Sequence, residues 1–180
     1  MVRGNPYGYN LLQSFVKKRT SVVTKMDERF MRMAIDLAIQ NASAGGGGPF
    51  GAVVVRDGEV LATGTNGVTS TNDPTAHAEI TAIRQACRVL GGFQLPGCQL
   101  YTSCEPCPMC LGAIYWARPS AVFYACTAAD AAAAGFDDSF IFDELRLEPG
   151  QRHISMNQLL RSEALTAFRT WEQKADRIPY

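Results

Sequence analysis

His77-Ala78-Glu79 and, further along the chain, Pro106-Cys107-Pro108-Met109-Cys110 constrain the fold more than any other feature. One imidazole and the two thiols of a Cys-x-x-Cys pair are the ligands zinc takes, and three ligands leave a fourth tetrahedral position open for water. Any fold that honours this pattern must bring two distant stretches to one point. Cys107 and Cys110 are three residues apart, a spacing that puts both sulfurs on one side of a helix's first turn. The positive end of that helix favours thiolate over thiol. Two thiolates and a neutral imidazole balance the ion's charge and leave it a Lewis acid, able to lower the pKa of a water from 15.7 toward about 7.

Glu79 is the candidate proton shuttle beside that water. Residues i and i+2 of a helix point in roughly opposite directions. His77 and Glu79 can therefore share a site only if a helix end, not its flank, faces the metal. A closed structural site with Cys104 as fourth ligand is the alternative. It would leave Glu79 without a purpose, and Pro106 before Cys107 reads as the start of a helix. Glu105 reads as a first-turn carboxylate that organises the loop. His153, alone in a weak strand, reads as structural.

Periodicity supplies the frame around these residues. Phe30, Met33, Ala34, Leu37 and Ala38 recur at helical spacing, and Gly45 to Gly48 stop that helix. Ala52-Val53-Val54-Val55 and Val60-Leu61-Ala62-Thr63 read as strands joined by the turn Asp57-Gly58. Asn66 to Thr75 reads as a polar loop. A helix then runs to Leu90, with Asp73 or Thr75 as its cap and Pro74 near its first turn. Gln99 to Thr102 is a third strand, Cys107 to Trp116 a helix and Ala121 to Cys126 a fourth strand. Helices follow at Ala128 to Ala134, Ser139 to Arg146 and Glu163 to Lys174, with a weak fifth strand at His153 to Met156. Alternating strands and helices imply an α/β sheet covered on both faces, one domain over 26–180.

At 180 residues, with 47% apolar and 19% charged residues, the chain has the composition of an ordinary globular domain. Its formal net charge is zero, whereas nucleic-acid binders usually carry a basic excess. A small-molecule substrate is therefore expected over a nucleic acid. No apolar run reaches the roughly 20 residues of a membrane span. Six cysteines without a visible secretory leader fit a reducing cytoplasm rather than a disulfide framework. Residues 1–25 hold five basic residues and no acid. They read as a loose tail, or as an upstream start before Met26.

The pattern H-x-E followed by P-C-x-x-C is the signature of zinc-dependent base deaminases. The chain resembles the cytidine-deaminase superfamily and, within it, the bacterial guanine deaminases. The likeness lies in Gly48-Pro49-Phe50-Gly51-Ala52-Val53, Asn72-Asp73-Pro74-Thr75-Ala76-His77-Ala78-Glu79, Thr102 to Cys110, Gly112 to Trp116 and Gly135-Phe136-Asp137-Asp138-Ser139-Phe140. It implies a three-layer α/β/α fold with a mixed five-stranded sheet. It also implies zinc on His77, Cys107 and Cys110, Glu79 as proton shuttle, and substrate contacts from Asn66, Asp138, Phe50, Ala78 and Trp116. The implied reaction is hydrolysis of guanine to xanthine and ammonia, in a domain-swapped homodimer whose Tyr180 closes the partner's pocket. The alternatives are a tRNA adenosine deaminase, a guanosine, cytosine or triazine aminohydrolase on the same scaffold, and a non-catalytic zinc binding module. By residue type alone, Asn66 also suits a turn and Asp138 a helix cap with Asp137 as the binder, while Phe50 and Trp116 also suit a core.

Overall fold

The computed structural model describes residues 26–179. The expected tail at 1–25 and the expected capping residue Tyr180 lie outside that range. Asp27 caps the first helix, α1 (Glu28–Ser43), by accepting from the Arg29 amide at 2.9 Å. A cap of this kind stabilises a helix by about 1 kcal/mol. Strands β1 (Gly51–Arg56) and β2 (Glu59–Thr65) form a hairpin around Asp57-Gly58. Both turn residues take positive φ, 53° and 81°, as the twist-matched two-residue turn requires.

A short helix, α2 (Val68–Thr71), interrupts the stretch read from sequence as loop. Then come α3 (Ala78–Leu90), β3 (Cys98–Cys104), α4 (Pro108–Ala117) and β4 (Ala121–Cys126). The chain continues through α5 (Ala128–Ala133), α6 (Ser139–Arg146), a single 3-10 turn (Pro149–Gln151) and α7 (Arg161–Gln173).

The sheet order is β2-β1-β3-β4. β1 runs antiparallel to both neighbours, and β3 is parallel to β4, so the sheet is mixed. β1 is buried on both faces, which explains its unbroken apolar run. Val53, Val55 and Tyr101 pack under Phe30 and Ala34 of α1. Ala52, Val54, Ala62 and Leu100 pack on the other side against Ala78, Ala82, Ile83 and Ala86 of α3 and Ile114 and Ala117 of α4. This gives the expected three layers. Gly64 lets α3 lie directly on β2, since a Cβ there would stand 2.2 Å from the Ala78 carbonyl oxygen and 2.6 Å from the Ala82 amide nitrogen.

The structure corrects two expectations. The sheet has four strands among the described residues, because His153 to Met156 forms none. The His153 amide instead donates to the Glu144 carboxylate at 2.8 Å, and Ile154 is exposed, so the segment is tied back to α6 rather than to a strand. The helix carrying Glu79 also starts later than Asp73 or Thr75 would set it. Asp73 accepts from the backbone and the hydroxyl of Thr75, at 2.8 and 2.7 Å, and so closes a turn of its own. The N-cap is His77.

Candidate active site

His77 stands in extended backbone (φ −75°, ψ 157°) just ahead of α3, and Glu79 is inside the helix's first turn. The two side chains therefore do not share a regular helix, and the opposition expected of i and i+2 does not arise. Cys107 holds the same position before α4, with Pro108 at that helix's first residue. The Cys107 sulfur accepts from the Cys110 amide at 3.5 Å. Two helix N-termini thus deliver their flanking residues to one place.

The ligand atoms of His77, Cys107 and Cys110 all lie within 4.8 Å of one another. The His77 Nδ1 is 3.5 Å from each sulfur. Tetrahedral zinc, with bonds of about 2.3 Å to sulfur and 2.0–2.1 Å to nitrogen, would set nitrogen and sulfur about 3.6 Å apart. The donor set fits the ion in both chemistry and spacing. Its electrostatics point the same way. The Cys110 thiol's hydrogen bond, followed by that of His77, draws Cys107 down to about 4, a thiolate at neutral pH. That bond and burial push Cys110 up, while the contact with Cys107 raises His77. One thiolate forms unaided and the second needs a cation, so metal uptake releases protons.

Cys104 stays outside this cluster. Its sulfur lies 3.5 Å from the Thr127 carbonyl, and burial pushes its thiol up to about 11. The closed four-ligand arrangement is thus not formed. All six cysteines are free thiols.

A cavity of about 290 Å³ opens over the triad. Its wall includes His77, Cys107, Glu79, Asn66, Asp138 and Phe50. Glu79 is 6% exposed, and burial is the main cause raising its pKa, which suits a group that must both take and give a proton. Asp137 and Asp138 divide their roles. The Asp137 carboxylate accepts from the Ser139 amide at 2.9 Å and so fixes the turn. Both aspartates line the cavity, and Asp138 occupies the N-cap position of α6 without capping it, so its carboxylate is not tied to that helix end. Burial, then the negative charge of Cys107, raises its pKa.

Two expected contacts are placed elsewhere. Trp116 is 61% exposed and lies with Phe168, Trp171 and Pro179 in a separate surface groove. The Ala78 side chain is fully buried in the core between sheet and helix, so any contact it makes with substrate is left to its backbone. Phe136 joins the wall, packing edge-on to Phe50 with ring centroids 5.0 Å apart. Phe140 and Ile141 of α6 complete an apolar side. The signal for Phe136 and Phe140 was the Gly135-to-Phe140 block, which sequence reading mined for its acids alone.

Comparison with known proteins agrees with this geometry. The model of the cytidine and deoxycytidylate deaminase zinc-binding region matches residues 24–126. The chain belongs to this deaminase family. As a member, it is 58% identical to the guanine deaminase of Bacillus subtilis over 85% of its own length and 98% of that protein's. The X-ray structure of the same B. subtilis enzyme superposes with a TM-score of 0.84 at 56% identity, covering 87% of this chain and 99% of that one. More distant is the tRNA-specific adenosine deaminase of Agrobacterium fabrum. It is 51% identical, but over 42% of this deaminase chain and 50% of its own.

Proposed function

We propose that the chain is a guanine deaminase, converting guanine and water to xanthine and ammonia. The observation that carries the reading is the convergence on one cavity of the His77–Cys107–Cys110 cluster, Glu79, Asn66 and Asp138. The extent of the likeness to the B. subtilis enzyme supports it. The cavity volume, about 290 Å³, lies just below the roughly 300–1,000 Å³ of ligand pockets, which suits a free base better than a nucleotide in its backbone.

His77, Cys107 and Cys110 would hold zinc. Bound there, zinc supplies Lewis-acid activation of a water. The protein's own groups do the rest. The Glu79 carboxylate accepts one proton from the attacking water and gives it to the ring nitrogen, then takes the second from the newly added hydroxyl and gives it to the amino group, which leaves as ammonia as the C–N bond breaks. Asp138 accepts from the N–H groups on the guanine edge, because an ionised carboxylate is acceptor-only. If one of these is the N–H that carries the sugar in a nucleoside, guanosine is refused. Phe50 and Phe136, packed against each other, offer the ring one apolar wall.

The segment beyond β4 supports a domain-swapped homodimer. No residue of α7 is buried, and Leu159, Phe168 and Ile178 stand 81%, 67% and 64% exposed. Covering by a second copy would bury this arm and bring Tyr180 to the partner's pocket. Free thiols throughout fit a cytoplasmic enzyme. No helix among the described residues is long and apolar enough to cross a membrane.

The deciding experiment measures ammonia release from guanine, guanosine, adenine, cytosine and tRNA. Guanine alone should turn over rapidly. Preference for tRNA would replace the reading with the adenosine deaminase, and equal rates on guanine and guanosine would remove the assigned role of Asp138.

A further inference from the structure

Asn41, in the last turn of α1, reaches across to the loop that carries Asn66. Its Nδ2 donates to the Gly48 carbonyl at 2.9 Å and to the Asn66 carbonyl at 2.8 Å. One amide group thus ties together two segments that follow different elements. The Asn66 side chain is held in turn by the backbone. Its Oδ1 accepts from the Gly48 amide and from the Val68 amide, each at 3.2 Å. Two N–H donors on that atom settle which end of the amide is oxygen.

The Asn66 Nδ2 is then the end left over. Asn66 is 6% exposed and lines the cavity, and its Nδ2 has no hydrogen-bond partner among the described residues. Every fully buried side-chain nitrogen or oxygen among the described residues does have a partner. The unmatched N–H therefore opens to the cavity, as a donor.

We infer that Asn41 is a positioning residue of the substrate site, clamping Gly48 and Asn66 so that the Asn66 N–H is aimed at the substrate. The inference rests on the reading of Asn66 as a substrate contact. It adds a rule of selection: the bound base must turn a carbonyl oxygen or an unprotonated ring nitrogen toward Asn66, and a base offering an amino group there is refused.

Steady-state kinetics on guanine with the variants Asn41→Ala, Asn41→Asp, Asn66→Ala and the Asn41→Ala/Asn66→Ala double test it, with zinc content measured for each. Asn41→Ala should raise KM about tenfold, the loss of roughly one positioned hydrogen bond, with kcat within about threefold and zinc retained. Asn41→Asp keeps the size and removes the donors, so it should behave like Asn41→Ala. In the Asn66→Ala background the Asn41 change should have no further effect on KM. If Asn66→Ala raises KM and Asn41→Ala does not, the positioning role falls while the substrate contact stands. If Asn66→Ala leaves KM unchanged, the substrate contact itself falls. Loss of zinc in Asn41→Ala overturns the proposal, since the effect then acts through the metal. Should Asn41→Ala fail to fold, Asn41→Ser decides: a raised KM supports the role and an unchanged KM overturns it.

Discussion

The site works because neighbouring residues of similar type are held in different environments. Cys104 and Cys107 are both thiols near the cavity, yet burial keeps the first protonated while hydrogen bonds from Cys110 and His77 make the second a thiolate. Chelator-stripped protein treated with iodoacetamide at pH 6–7 should be alkylated first at Cys107, with zinc protecting it; mass spectrometry finding Cys104 modified earlier would contradict this. Glu79 is the one carboxyl both buried and on the cavity wall among the described residues. Glu79→Gln keeps its volume and removes its proton chemistry. Turnover should fall at least about a hundredfold, the scale of general acid–base catalysis, with zinc content and circular dichroism unchanged. Residue types and spacing made the triad and Glu79 legible from the sequence. Which of Asp137 and Asp138 the backbone ties down was not, because it depends on which carboxylate a single backbone amide at Ser139 engages.

At the scale of elements, the site depends on two helix starts meeting at one end of the sheet, where β2 and β3 finish and β1 begins. α3 is set by its contact with β1 and β2, and Gly64 is where the backbones come closest. Gly64→Ala places a methyl against the Ala78 carbonyl. It should cost about 1–3 kcal/mol, the usual range for overpacking, and lower the midpoint of thermal unfolding by several degrees. It should also loosen zinc, because Ala78 lies between His77 and Glu79. A variant with wild-type Tm and zinc affinity would show that the layers can separate without harm. The strands and long helices were readable because apolar spacing follows burial. The N-terminus of α3 was misplaced because Asp73-Pro74-Thr75 carries a helix-cap signature and uses it for a separate turn. The fifth strand failed because a strand needs a neighbour, and none among the described residues pairs with His153 to Met156.

For the whole molecule, a well-packed body runs from α1 to β4, α5 and α6 close one side of the cavity, and an arm carrying α7 follows whose large apolar residues Leu159, Phe168 and Ile178 are exposed. Large exposed apolar patches mark surfaces that another chain covers. The purified protein should sediment at about twice its 19.6 kDa chain mass. Phe168→Asp should shift it toward monomer and lower turnover with zinc retained, whereas a fully active wild-type monomer would remove the swap. Trp116, expected at the substrate, shows why one chain's sequence could not assign its role. It sits in the groove with the arm, where its surroundings depend on what covers that groove. By itself the sequence determined the chemistry: ligand types, the acid beside them and the layered fold, all written in local spacing and residue identity. Tertiary structure alone decided orientation. Which cysteine is drawn to the thiolate beside His77 and which end of Asn66 the Gly48 amide holds follow from contacts between segments far apart in the chain, and no local pattern records them.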